Sequence, residues 1–173
     1  MNEQIKLSPV DKFYNWLEED KLRLEEEAKL PKKKRRGRKP TKKQYFTYIT
    51  DQAIVAYNNE ENYMKRNKVY SEHIHYAFDK LAENIIHTFK FYYFDVPYQD
   101  VKCEVVAFLN EKIHKYQLDK GKAFSYFSII AKNYLIIANN ANYAKMKART
   151  DLTVIDDSRD LNGELVYSDY QES

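Results

Sequence analysis

The chain of 173 residues has only three glycines, four prolines and one cysteine, and it has no long apolar run. Each shortage excludes something. So few turn-formers argue against a strand-rich architecture, which needs many tight turns. The lone cysteine, Cys103, excludes an internal disulfide framework and fits a reducing compartment. Its place in an apolar helical pattern predicts a buried thiol rather than a nucleophile. No stretch approaches the roughly 20 apolar residues that cross a bilayer, and Met1–Lys12 lacks the apolar centre of a signal peptide. These absences describe a soluble intracellular chain with no membrane partner.

Catalytic signatures are missing as well. His73 and His75, two residues apart, point about 200° from each other on a helix and cannot share a metal. His87 and His114 have no Cys or carboxylate at ligand spacing. There is no glycine-rich phosphate loop, nucleophile elbow or H-E-x-x-H motif. Asp100 and Glu104 stand one helical turn apart, but nothing completes an active site around them. The expectation is a non-enzyme without metal or cofactor.

What is abundant is aromatic side chains, 16 tyrosines and 9 phenylalanines, together with charge that is unevenly distributed. Between Lys32 and Lys43 there are nine basic residues and no acid, whereas 151–173 holds Arg159 against seven acids. A basic arm and an acidic tail point to one polyanionic partner and at least one protein partner.

The apolar spacing is helical almost throughout. Ser8-Pro9 opens a helix over 8–30 with Phe13, Trp16, Leu17 and Leu24 on a narrow stripe, expected to dock somewhere. The arm 31–43 can bury nothing and is expected to be disordered in isolation. It centres on Lys34, Arg35, Arg36, Arg38 and Lys39, and its R-G-R-K-P resembles the AT-hook core that lies in an A·T minor groove. A short helix over 46–60 points Ile49, Ala53, Ile54 and Tyr57 inward. From Glu61 to about Phe94, Ile74, Phe78, Leu81, Ile85, Phe89 and Tyr92 form a core stripe closed by Asp95 and Pro97.

The chain is organised around 97–142, two amphipathic helices joined at Leu118–Lys122. Val101, Val105, Phe108, Leu109, Ile113 and Tyr116 share the first helix's inner face. Phe124, Phe127, Ile130, Ala131, Tyr134, Leu135 and Ala138 share the second's. Periodicity cannot place Phe124, Tyr126 and Phe127 on one face, so one or two of these rings should be exposed. With Lys132, Lys145, Lys147 and Arg149 nearby, such rings suit unstacked bases, each stack being worth about 1–3 kcal/mol. After Arg149 no period is sustained. Leu161, Leu165, Val166, Tyr167 and Tyr170 alternate with acids, a composition that fits a short peptide docking in a groove and equally an ordinary disordered tail.

This central pair resembles region 2 of bacterial sigma factors. Lys115–Ser128, K-Y-Q-L-D-K-G-K-A-F-S-Y-F-S, is similar to the family's K-F-D-x-x-x-G-x-x-F-S-T-Y-A, and Asp100–Glu104, D-V-K-C-E, falls on its D-L-I-Q-E. Leu81–Ile86 resembles the family's earlier core helix, and the match covers about 70–145. The basic arm, and the absence of a second DNA-binding domain, look most like the late-transcription sigma factors of T-even-type tailed phages.

The resemblance implies a fold, partners and site residues. The fold is all-α, a helical bundle over 44–149 with an amphipathic helix at 1–30, the arm at 31–43 and an acidic tail at 150–173. Asp100, Cys103, Glu104, Val106 and Asn110 would meet the clamp helices of the largest subunit of bacterial core RNA polymerase. Lys122, Phe124, Ser125, Tyr126, Phe127, Ile130, Lys132, Asn133, Tyr134, Lys145, Lys147 and Arg149 would meet promoter DNA at an A·T-rich −10 element. Ile130 and Ala131 replace the family's tryptophan pair, and Asn133 and Tyr134 its arginine and glutamine. The tail would bind a phage sliding clamp, with a coactivator as a further partner, in the cytoplasm of the bacterial host. A stand-alone basic nucleic-acid binder and a protein–protein adaptor are the alternatives from other classes.

Overall fold

The computed structural model describes residues 7–29, 44–91 and 96–157, with side chains through 150. Among them every regular element is helical. The helices are α1 (Pro9–Lys29), α2 (Tyr48–Asn59), α3 (Tyr63–Val69), α4 (His75–Phe89), α5 (Tyr98–Lys112) and α6 (Ala123–Asp157).

Side chains from the sequence start these helices. Ser8 Oγ accepts the Asp11 N–H at 3.2 Å and caps α1. Asn62 Oδ1 accepts the N–H groups of Met64 and Lys65 at 2.9 and 3.3 Å and caps α3. In front of α2, the Thr47 N–H reaches Thr50 Oγ1 at 3.5 Å. Lys90, at φ 53°, ends α4 in the left-handed conformation, and the Phe91 N–H closes on the Ile86 carbonyl at 3.4 Å.

A single π-helical turn, Tyr70–Ile74, joins α3 to α4 without a break. It carries one residue more than an α-turn would, so buried Val69 and Ile74 stand five positions apart. From Ile74 the expected stripe holds through Phe78, Leu81 and Ile85, all buried. Phe89 departs from it. Its ring is 46% exposed at the last turn of α4. Tyr92 and Asp95 lie outside the described residues, and Pro97 caps α5 as expected.

The amino-terminal helix is part of the same core. Val10, Phe13 and Leu17 are buried with residues of α2, α4, α5 and α6, so the division at residue 30 does not separate two bodies. Polar bolts fix it there. The buried carboxylate of Glu60, between α2 and α3, accepts the N–H groups of Val10 and Asn62 at 3.2 and 3.1 Å. Burial raises its pKa, but hydrogen bonds from Ser8, Asn62 and Val10 outweigh that and hold it below the ordinary value. Lys65 Nζ donates to Asp11 at 2.6 Å and to Ser8 at 3.1 Å. The expected stripe needs one correction. Leu24 is exposed, and the buried position further along α1 is Asp20, held by the Tyr48 hydroxyl and the Arg23 guanidinium.

The carboxy-terminal boundary also moves. The helix does not stop at Arg149 but runs to Asp157. No glycine or proline interrupts it, and propagation costs little once a helix exists. Among the residues whose side chains are described, its last buried one is Leu135, and Ile137, Ala138 and Ala141 still line a groove with Phe108 before the helix projects.

Candidate functional site

The site begins with α5. Val101, Val105, Leu109 and then Ile113 are buried, as their spacing requires. Asp100, Cys103, Glu104 and Asn110 are exposed on the opposite side. Cys103 therefore departs from its expected burial. It stands two residues from buried Val101, about 200° around the helix, and the Gln99 amide nitrogen lies 3.8 Å from its Sγ. Val106 departs the other way. It is 9% exposed within the core, so it offers no contact surface.

The turn after α5 is held at three points. The Tyr116 hydroxyl donates to the Gly121 carbonyl at 2.9 Å, and burial pushes the Tyr116 pKa up to about 12. Gly121 adopts φ 126° and ψ −176°, a region only glycine enters readily. The Asp51 carboxylate on α2 then accepts the Ala123 N–H at 3.1 Å and fixes the start of α6.

From that start the four aromatic-end residues are dealt to different places. Phe127 is fully buried, 4.8 Å from Phe78 ring to ring, and belongs to the core rather than to a binding surface. Phe124 is 45% exposed. Tyr45 and Phe46 meet it edge-on at 6.2 and 5.9 Å, and with Gln44 and Lys122 they form an open cup of about 280 Å³. Gln44 is where the described chain resumes after the arm. Ser125 is exposed, and Tyr126 is half-buried between Tyr116 and Phe127.

Further along, α6 runs antiparallel to α5 and leaves a groove of about 590 Å³ between them. Tyr126, Ile130, Asn133 and Tyr134 line it from α6, and Phe108, Lys112 and Lys115 from α5 and the turn. Tyr134 stacks on Phe108 at 4.5 Å, its hydroxyl donates to Glu104 at 3.4 Å, and Lys112 Nζ stands 4.9 Å over the Phe108 ring. Burial, then Glu104, raises the Tyr134 pKa.

Lys132 lies elsewhere, 4.3 Å over the Phe89 ring at the end of α4. Lys145, Lys147 and Arg149 are exposed on the projecting part of α6. The proposed arm residues Lys34, Arg35, Arg36, Arg38 and Lys39 lie outside the described residues. So do Leu161, Leu165, Val166, Tyr167 and Tyr170.

Sequence reasoning missed Tyr45 and Phe46, although they directly follow the arm. It also missed Lys112 and Lys115, whose place on the groove rim depends on how α5 and α6 pair. Among the described residues no cluster of His, Cys, Asp and Glu could hold a metal. No described helix is long and apolar enough to cross a membrane.

The described chain is thus an all-helical bundle presenting an acidic helix face, an aromatic cup and a cation-rimmed groove. Comparison with protein-family models, with curated proteins and with solved structures finds no match.

Proposed function

We propose that this chain is a sigma-type transcription factor of a tailed phage, acting in late transcription without catalytic activity of its own. The exposed face of α5, carried by Asp100, Cys103, Glu104 and Asn110, would contact the clamp helices of bacterial core RNA polymerase. The amino-terminal half of α6 would hold promoter DNA opened at an A·T-rich −10 element. The setting would be the bacterial host's cytoplasm, with the tail reaching a sliding clamp or coactivator.

One observation carries the reading. Phe124, at the motif position read as base-capturing, is exposed beside Tyr45, Phe46 and Lys122, where the basic arm rejoins the fold. Holding an extruded base there offsets the few kcal/mol that unstacking costs. Lysines beside rings supply the phosphate contacts such a strand needs. Burial of Phe127 narrows the base contact to Phe124 and its two partners.

The test is retention of the chain on bacterial core polymerase, followed by run-off transcription from a template with only an A·T-rich −10 element. Specific initiation is expected. A second reading, a stand-alone basic nucleic-acid binder, draws on Lys145, Lys147 and Arg149 along the projecting helix, which need no polymerase to meet phosphates. Salt-sensitive DNA binding with no polymerase retained would favour it.

A further inference from the structure

Both walls of the groove repeat at helical spacing. On α6, Tyr126, Ile130, Ile137 and Ala141 follow at steps of 4, 7 and 4. On α5 and the turn, Phe108, Lys112 and Lys115 follow at steps of 4 and 3. Rows of this period are the ridges against which a further helix packs its side chains. From Tyr126 to Ala141 the row spans about 22 Å, or about four helical turns. Ile137 is 71% exposed, and with Ile130, Ala138 and Ala141 it makes a contiguous aliphatic patch of the kind that marks an interaction site.

We propose that the groove seats an amphipathic α-helix of a partner protein, apolar toward Ile130 and Ile137 and acidic on the flank toward α5. Charge identifies that flank. The lining carries two cations, Lys112 and Lys115, and no carboxylate. Glu111 pairs with Lys112 at 2.5 Å, while Lys115 makes no ion pair among the described residues. Glu104, engaged by the Tyr134 hydroxyl, lies on the other side of Phe108 from both lysines. The partner's acids therefore belong at the end of the groove beside the turn, and its uncharged side chains belong further along.

A nucleic-acid strand fits this surface less well. Bases need free ring faces, yet Phe108 and Tyr134 stack on each other at 4.5 Å and Lys112 stands over Phe108. The patch beyond them is aliphatic. Phosphates recur at every nucleotide, whereas the lining cations stand at one end only. The groove also differs from the surfaces of the sigma reading. Asn110 lies about 200° around α5 from Phe108, and Phe124 about 200° around α6 from Tyr126. The inference goes beyond that reading and does not rest on it.

The test uses a fluorescein-labelled helical peptide of about 16 residues, with leucines along one face and glutamates along one flank. A second peptide carries lysines in place of the glutamates. Anisotropy with the full chain should show the glutamate peptide binding about tenfold more tightly than the lysine peptide. Ile137→Asp, at an exposed position outside the core, should weaken the glutamate peptide about tenfold or more. Lys112→Glu together with Lys115→Glu should invert the preference between the peptides. Failure of both peptides to bind would overturn the proposal, as would equal binding of the two or affinity that survives Ile137→Asp. Displacement of the peptide by oligodeoxythymidine would assign the groove to nucleic acid instead. A dimer of the chain alone that Ile137→Asp dissociates would assign it to a second copy.

Discussion

The carboxylate of Asp51 and the backbone N–H of Ala123 are 72 residues apart in sequence and 3.1 Å apart in space. Asp51 thereby acts as a cap for α6 from another helix. It satisfies one of the donors a helix start leaves unpaired, and it sets where Phe124 emerges.

Removing that acceptor should matter more than removing its charge. Asp51→Ala is expected to cost about 1 kcal/mol, the usual worth of a cap. Burial, its largest influence, raises the Asp51 pKa against the Ala123 bond and Lys122. The stabilisation linked to its proton is therefore present at pH below the ordinary 3.8 and lost as pH rises through the folded value. Asp51→Asn keeps an acceptor without a buried charge, so at neutral pH it should be at least as stable as the native chain. Urea midpoints of the three proteins check this.

Phe124 and Phe127 should separate cleanly. Phe127→Ala empties a fully buried position and should cost about 3–5 kcal/mol. Phe124→Ala, at a 45% exposed ring, should cost about 1 kcal/mol or less yet abolish opening of promoter DNA in a permanganate footprint. Normal opening by that variant would remove Phe124 from the site.

Cys103, the chain's only cysteine, sits exposed between Asp100 and Glu104 and reports on that face. Core polymerase should slow its alkylation in the native chain. In the Asp100→Lys, Glu104→Lys variant it should have no effect. Equal rates with and without polymerase in the native chain would place the contact elsewhere.

His73 should make the docking of α1 sensitive to acid. Burial holds its pKa below the ordinary 6.5, although Glu72 at 3.8 Å pulls upward, and Phe13 and Tyr14 of α1 stand against the ring. Its contribution is complete above 6.5 and is lost as pH falls through the folded value. Trp16, the only tryptophan, packs against Phe13 and Tyr48, so its emission should shift as pH falls below 6.5. His73→Gln should flatten that response.

Local pattern made the helices legible. Ser8 with Asp11, the run from Ile74 to Ile85 and the inner face of α5 all follow from spacing and caps. Contacts set by tertiary packing were not legible. Asp51 on Ala123, Tyr45 and Phe46 on Phe124, and Asp20 in place of Leu24 each join residues whose sequences carry no mutual signal. Cys103 is a different case. The 200° that separates it from Val101 already marked it as exposed, and its apolar character obscured that. The end of α6 was misplaced because the helix there has no core stripe to announce it.

The π-helical turn at Tyr70–Ile74 sets the rotation of α3 against α4. Each residue turns an α-helix by about 100°. With the extra residue in place, α3 presents Lys65 to α1 while α4 presents Phe78 to α6. A chain lacking one residue in that turn would rotate α3 by about 100° against α4, so only one of those two contacts could keep its present face. Deleting one residue between Val69 and Ile74 should therefore cost more stability than a substitution at exposed Ser71.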